Sequence, residues 1–352
     1  MLYAGAAPFW YVAMQRVQRL LHTRLVPLLS LFAAFSFVIM MFNLPLPGGT
    51  TGHAAGIGLA AVVLGPWASM LAISVALLIQ AVFFGDGGIT AFGANCFNMA
   101  IAGSLVAYAV YRILAGRAPL TAARRVWAAA IAGYAAINVA ALCAAIEFGL
   151  QPVLFKDVTG APLYCPYPLH IALPAMMIGH LTIAGFAESI VSGGVVAYLQ
   201  RADPSLLKLT APDAREANDG AEESAPRGGW RAARPLWLAM AVLMLLTPLG
   251  LLAAGTAWGE WAPEDFKDPT ARREIAVASR DHAPPPQTPQ GLERLATVWT
   301  APLSDYAPAF LKSANLGYIL SAMFGSGLII LVFLLIGWAA KIRGGGRETP
   351  AL

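Results

Sequence analysis

Asn43-Leu-Pro-Leu-Pro-Gly-Gly-Thr-Thr-Gly-His53 is followed by two apolar segments and then by Gly85-Asp86-Gly-Gly-Ile-Thr-Ala-Phe-Gly-Ala-Asn95-Cys-Phe-Asn98-Met99, and Asp86 is the one charged residue between Asn43 and Met99. The stretch sets a single imidazole, His53, in a glycine-rich loop where two hydrophobic segments meet. The rest of the chain has the same character. It is 58% hydrophobic and 12% charged, against about 25% charged in a soluble domain. Several apolar blocks reach the roughly 20 residues that a helix needs to cross a bilayer. The sequence therefore predicts an all-α polytopic membrane protein.

Working outward from the loop, nine spans are expected: Leu2 to Val17, Val26 to Leu46, His53 to Leu64, Trp67 to Phe84, Ala91 to Tyr111, Val126 to Leu150, Pro168 to Leu199, Leu236 to Ala254 and Leu316 to Ala340. The third is the shortest, since twelve residues rise only about 18 Å as a helix. The spans fall into a core at 1–200 and a two-span unit at 235–345, the latter enclosing a polar loop at 258–313 with short helices around Asp268 to Ala278. Residues 201–234 are rich in Ala, Asp, Glu and Gly, and predict a disordered cytoplasmic linker.

Basic residues orient the arrangement. With the N-terminus outside and the C-terminus inside, Arg16, Arg19 and Arg24, then Arg112, Arg117, Arg124 and Arg125, the linker cations and Lys341, Arg343 and Arg347 all face the cytoplasm. Together they are most of the 23 Lys and Arg. Six of the others lie in the long outer loop, and long loops count least in the positive-inside rule. The same bias requires the third span to cross, because otherwise the four arginines from 112 to 125 would lie outside.

The chemistry is confined to a few residues. Cys96, Cys143 and Cys165 have no Cys-x-x-Cys spacing, which argues against a disulfide framework or structural zinc. No Gly-Lys dipeptide occurs, so the chain has no P-loop of its own. The glycines of Pro47 to Gly52 read as a tight turn between helices, with Thr50 or Thr51 capping the next one. His53 reads either as a hydrogen-bonded structural residue or as a metal ligand, neutral imidazole being the commonest such ligand. One histidine cannot hold an ion, so further donors must converge on it. Polar side chains at membrane depth are functional candidates because burying them is costly. On the outer side these are Asp86, a supporting partner near the level of His53, with Asn95 and Asn98 on adjacent turns of one helix face. The seventh span adds His180 and Glu188, eight residues apart on one face. For Asn98 and Glu188 helix–helix hydrogen bonding is the leading role. Gly56, Gly58, Ala60, Ala61 and Gly325-Ser-Gly327 read as close helix packing. A membrane-embedded metal-dependent enzyme built on His180 and Glu188 is the competing class, without a His-Glu-x-x-His or Gly-x-Ser-x-Gly motif to carry it.

The motifs Asn43 to His53, Leu64-Gly-Pro-Trp67, Gly85-Asp-Gly-Gly-Ile-Thr90 and Gly93-Ala-Asn-Cys-Phe-Asn-Met99, in that order, resemble the CbiM/NikM family. These are the substrate-binding membrane components of energy-coupling-factor transporters for cobalt and nickel. The likeness covers about residues 3 to 200, and the two-span unit is similar in layout to the CbiN/NikN accessory component. The resemblance implies a seven-helix binding core that captures Co²⁺ or Ni²⁺ as transported substrate, for cobalamin biosynthesis or nickel enzymes. It implies location in the bacterial cytoplasmic membrane. The implied partners are ATP-binding-cassette ATPase subunits and a coupling transmembrane subunit, not nucleic acid. It also implies nitrogen donors for the ion, one of which carries over onto His53. The family's histidine at position two does not carry over, since Leu2 stands there and the opening Met-His-Ile-Pro-Asp-Gly is missing. With a short first span, this sets the expectation that the chain begins at an internal methionine, about a dozen residues into a longer reading frame.

Overall fold

The computed structural model describes residues 1–18, 25–215, 229–253, 255–308 and 310–344. Helices stand at all nine expected positions: α1 (Leu2–Gln18), α2 (Leu25–Met40), α3 (Ile57–Leu64), α4 (Pro66–Phe84), α5 (Phe92–Ala115), α6 (Ala123–Leu154), α7 (Leu169–Ala202), α8 (Gly229–Leu246) and, after two short helices in the polar loop, α11 (Ala314–Gly344). The short ones are α9 (Pro269–Ala278) and α10 (Gln290–Ala296). Hydrocarbon offers backbone groups no partner, so apolar segments must satisfy them internally, as helices do. Five of the helices, α4 to α7 and α11, are long and apolar enough to cross a membrane.

The second span stops at Met40, short of the expected Leu46. Pro45 and Pro47 cannot continue a helix, and the chain instead folds into a hairpin of β1 (Leu44–Leu46) and β2 (Thr50–Gly52), with Leu46 paired to Thr50. Gly48 and Gly49 turn it with φ of 98° and 80°, where a Cβ is disfavoured. The hairpin overturns the expected capping role of the threonines. Neither caps α3, because Thr50 donates its hydroxyl at 3.0 Å to the Thr256 carbonyl of the polar loop, and the Thr51 amide reaches the same oxygen at 3.3 Å.

α3 is the centre of the bundle. All eight of its residues are buried, enclosed by α4, α5, α6 and α7. At Gly58 an added Cβ would lie 2.4 Å from Gly133 Cα and 2.5 Å from Ser192 Oγ, so the small residues there serve close packing, as their spacing suggests. An eight-residue helix rises only about 12 Å. The segment still runs from one end of the bundle to the other: Thr51 pairs with Ala257 at one end, while at the other the Thr210 hydroxyl donates to Val62 O and Arg16 stacks 4.8 Å from the Trp67 ring. The missing rise comes from residues 53–56, which are irregular and can extend about 13 Å. The third segment is thus half helix and half open backbone, and it starts its helix at Ile57 rather than His53 because Gly56 turns left-handed, φ 68°.

At the far end the arginine-rich loops gather. Arg125, 1% exposed, donates to the carbonyls of Ala118 and Pro119 and to the Tyr111 hydroxyl. The disorder expected from 201 onward does not begin there. Residues 204–210 form a 3₁₀ turn with Leu207 and Thr210 buried, and Arg112 holds Thr210 O at 2.8 Å and Asp213 at 3.2 Å. Leu206 and Leu207 give the start of this segment an apolar face that its average composition hides. Residues 216–228 of the expected linker lie outside the described residues.

The C-terminal helices lean on the core, α11 against α2, where Gly325 packs on the Phe37 ring. The polar loop covers the hairpin end. Asp268 caps α9 by accepting from Ala271 N at 2.8 Å, in the place where a short helix was expected. Trp258, Trp261 and Phe266 pack with Tyr167 and Phe148 of the core. Trp299 Nε1 and Leu303 N donate at 2.9 Å to the carbonyls of Val82 and Phe83 at the end of α4.

Candidate metal site

His53 leaves β2 at the hairpin end, half-buried in the loop ahead of α3. Its Nδ1 stands 3.3 Å from the Ala54 carbonyl. A carbonyl only accepts, so Nδ1 carries the proton and Nε2 keeps a lone pair. Neutral imidazole is the form that binds metal.

The loop after His53 has open backbone inside the bundle, and Glu188 satisfies it. The Glu188 carboxylate, fully buried on α7, accepts from the amides of Ala55 at 2.8 Å, Gly56 at 2.9 Å and Gly58 at 3.0 Å. It therefore acts as the cap of α3, across more than a hundred residues of chain. The bond to Gly58 joins α7 to α3, so the helix–helix hydrogen bonding expected of Glu188 is present, and it extends to the backbone ahead of α3.

His180 lies on the same side of α7, in a widened π turn over His180–Ala184, with Nδ1 2.8 Å from the Met176 carbonyl. That bond again leaves Nε2 as the lone-pair nitrogen. α4 and α5 also widen, over Gln80–Phe84 and Cys96–Gly103. π turns are frequent at functional sites, and here they carry Gln80, Asn98 and His180.

Asp86 is tied rather than free. It accepts from Gln80 Nε2 at 3.0 Å and from the Tyr306 hydroxyl, while Gln80 also donates to Tyr306 at 2.9 Å. Tyr306, stacked 4.7 Å from the Phe84 ring, comes from the C-terminal unit. Tyr306→Phe is expected to lower stability by about 1–3 kcal/mol, since it leaves Asp86 and Gln80 each short of a partner in a buried setting. Thermal unfolding of the purified chain measures this; a melting point equal to that of the wild type would show the tie to be idle.

The fold also separates the two asparagines. Asn95 Nδ2 donates to Gly87 O at 3.2 Å and holds the glycine turn, whereas Asn98 Nδ2 donates across to Glu147 of α6 at 2.9 Å. The two asparagines thus bond to different elements, Asn95 to the turn before α5 and Asn98 to α6. Asn98 Oδ1 is buried without a hydrogen-bond partner among the described residues.

Sequence reading missed Gln80, Glu147, Glu260 and Tyr306. Gln80 and Glu147 were detectable as polar groups inside apolar helices. Glu260 had no local signal. It is exposed in the polar loop, and crowding by the protein, with Asp86 nearby, pushes its carboxyl up to about 8. Asp86, the one charged residue between Asn43 and Met99, is the carboxylate whose charge acts on His53 and favours a cation there. Among the described residues, no group of three or more His, Cys, Asp and Glu side chains is gathered to hold an ion.

The profile of the CbiM family, described as a cobalt uptake substrate-specific transmembrane region, matches residues 1–206, and that of the PDGLE domain matches residues 233–342. The fused nickel transport protein NikMN of Rhodobacter capsulatus is 56% identical over 97% of this chain and 93% of its own length. A protein of Lactiplantibacillus plantarum named as a probable fused nickel transport protein, LarMN, is 42% identical over 99% of this chain and 94% of its own. A solved structure described as a truncated transition metal transporter is 48% identical, with a TM-score of 0.53, and covers 57% of this chain and 92% of that one. Together with the apolar helices, these likenesses make the chain a multi-pass integral membrane protein related to transport proteins rather than enzymes. Matched by the family profile over more than half its length, it belongs to the CbiM family, carried in one polypeptide with a PDGLE domain.

Proposed function

We propose that the chain is the substrate-capture component of an energy-coupling-factor importer for Ni²⁺ or Co²⁺. Nickel is favoured, because the relatives matched along nearly the whole chain are named for it. The observation that carries the reading is His53: an imidazole with a free Nε2 on a loop held open by Glu188, near the carboxylate of Asp86. Imidazole suits borderline transition metals, while Mg²⁺ and Ca²⁺ prefer oxygen. In this reading His53 is one nitrogen ligand, His180 and Asp86 shape its surroundings, Asn95 and Asn98 support the glycine turn and α5, and Glu188 positions the loop.

The reading also divides the chain into a metal-binding core, a linker and a C-terminal unit whose loop closes over the hairpin. Charge bias sets the arginine end in the cytoplasm and the hairpin end outside, where an ion would arrive. With no P-loop in the chain, energy comes from ATP-binding-cassette ATPase subunits through a coupling membrane subunit. The test is ⁶³Ni²⁺ and ⁵⁷Co²⁺ accumulation in cells that express the chain with these subunits. ATP-dependent uptake of either metal is expected, lost when the P-loop lysines of the ATPases are replaced. Uptake unchanged by that replacement would overturn the coupling, and no accumulation of either metal would overturn the transport reading.

A further inference from the structure

His170 and His282 face each other on the hairpin end, one from the first turn of α7 and the other from the corner after α9, with ring centroids 6.4 Å apart and planes at 77°. We propose that this pair is a second, outer binding site for a divalent transition-metal ion. It goes beyond the His53 reading and shares no residue with it.

Four observations carry it. First, two imidazoles that bind one ion through ring nitrogens at about 2.0–2.1 Å lie no more than about 6.5 Å apart between centroids, and the pair falls within that reach. Second, the free nitrogen of His282 is fixed. Its Nδ1 stands 3.1 Å from Ser279 O and 3.0 Å from Arg280 O, so Nδ1 is the donor and Nε2 holds the lone pair. Third, the corner that presents His282 is strained: Arg280 and Asp281 are successive left-handed residues, φ 59° and 63°, neither of them glycine. Such backbone persists only where its surroundings impose it, and it clusters at binding sites. Fourth, those surroundings are built on both sides. The Tyr167 hydroxyl, three residues from His170, donates to His282 O at 3.0 Å, and the Arg272 guanidinium holds the next turn through Pro284 O at 3.0 Å and Pro285 O at 2.6 Å.

The side chains of both histidines are exposed, so an ion reaches them from water. Two imidazoles leave the remaining positions to water, which suits a site that exchanges its ion quickly. The donor set selects Ni²⁺, Co²⁺, Cu²⁺ or Zn²⁺ over Mg²⁺ and Ca²⁺. One ligand belongs to the core and the other to the loop of the C-terminal unit, so a bound ion also fastens the loop over the hairpin. The role of first contact for the transported ion rests on the outward orientation proposed above; the binding itself does not.

The experiment uses the full chain without an affinity tag, in nanodiscs and in the His53→Ala background, so that failure of the His53 reading leaves it untouched. Ni²⁺ titration by calorimetry is expected to show one weak equivalent, and pulsed EPR with Cu²⁺ as probe to show two imidazole nitrogens. Adding His170→Ala is expected to weaken Ni²⁺ binding at least about ten-fold and leave one imidazole. His282→Ala should do the same, and Ni²⁺ should slow proteolysis at Pro284–Pro286 only where both histidines remain. Unaltered melting points show that the variants fold. Identical isotherms and EPR spectra with and without His170 would overturn the site.

Discussion

Replacing Glu188 by alanine is expected to leave little folded protein. The carboxylate is the acceptor for three amides on α3 and the backbone before it, in a place that water does not reach. Each buried amide left without a partner costs about 1–3 kcal/mol, and three together remove a large part of the roughly 5–15 kcal/mol that holds a domain folded. The loss should be cooperative, because α3 is enclosed by four helices and the loop it starts from carries His53. Glu188→Gln keeps one acceptor oxygen but turns an NH₂ group toward amide donors, so it should fall between alanine and wild type. Thermal unfolding in detergent and the yield of monodisperse protein are the measurements. An alanine variant that melts within about 2 °C of the wild type would show that the amides find other acceptors.

His53→Ala should act in the opposite way, sparing the fold and abolishing transport. The imidazole makes one long contact, to the carbonyl of its own neighbour, and is only half-buried. Its removal breaks no tie between elements, so the melting point should stay near that of the wild type. Changing a residue that merely supports a metal ligand costs 10–100-fold in affinity, and loss of a ligand itself should exceed about 100-fold. In cells supplied with the partner subunits, nickel or cobalt uptake at limiting metal should fall to background. Wild-type uptake by a well-expressed His53→Ala protein would remove His53 from the site. The two variants thus separate the residue that binds from the residue that positions, and a measurement of stability beside uptake is needed to tell them apart.

Much of the fold was legible in the chain because hydrophobic length is a local property. Every stretch read as a span carries a helix, and Asp268 marks the start of α9 as its capping chemistry suggests. Boundaries failed where a distant residue intervened. Thr50 and Thr51 look like caps for α3 by spacing, but the polar loop takes their hydrogen bonds and Glu188 supplies the cap. Asn95 and Asn98 look like one face by helical periodicity, and the fold gives them different partners, the glycine turn and Glu147 of α6. His53 was legible as a candidate because a lone imidazole among glycines, between apolar segments, stands out in any reading. Tyr306 and Glu260 were not, since each lies more than 170 residues from Asp86 and nothing local ties them to it.

By itself, then, the sequence determined the class of protein and the positions of its helices, and it singled out the stretch around His53 as the candidate site. Each follows from composition and spacing over twenty residues or fewer. The tertiary structure decided how the third segment runs the length of the bundle with a helix of only eight residues. It decided which carboxylate holds that segment open, and it brought the C-terminal loop down to bind Asp86 through Tyr306 and to set His282 opposite His170. The reason is physical: buried backbone must find hydrogen-bond partners wherever the fold can bring them, and that demand is met across the bundle rather than along the chain.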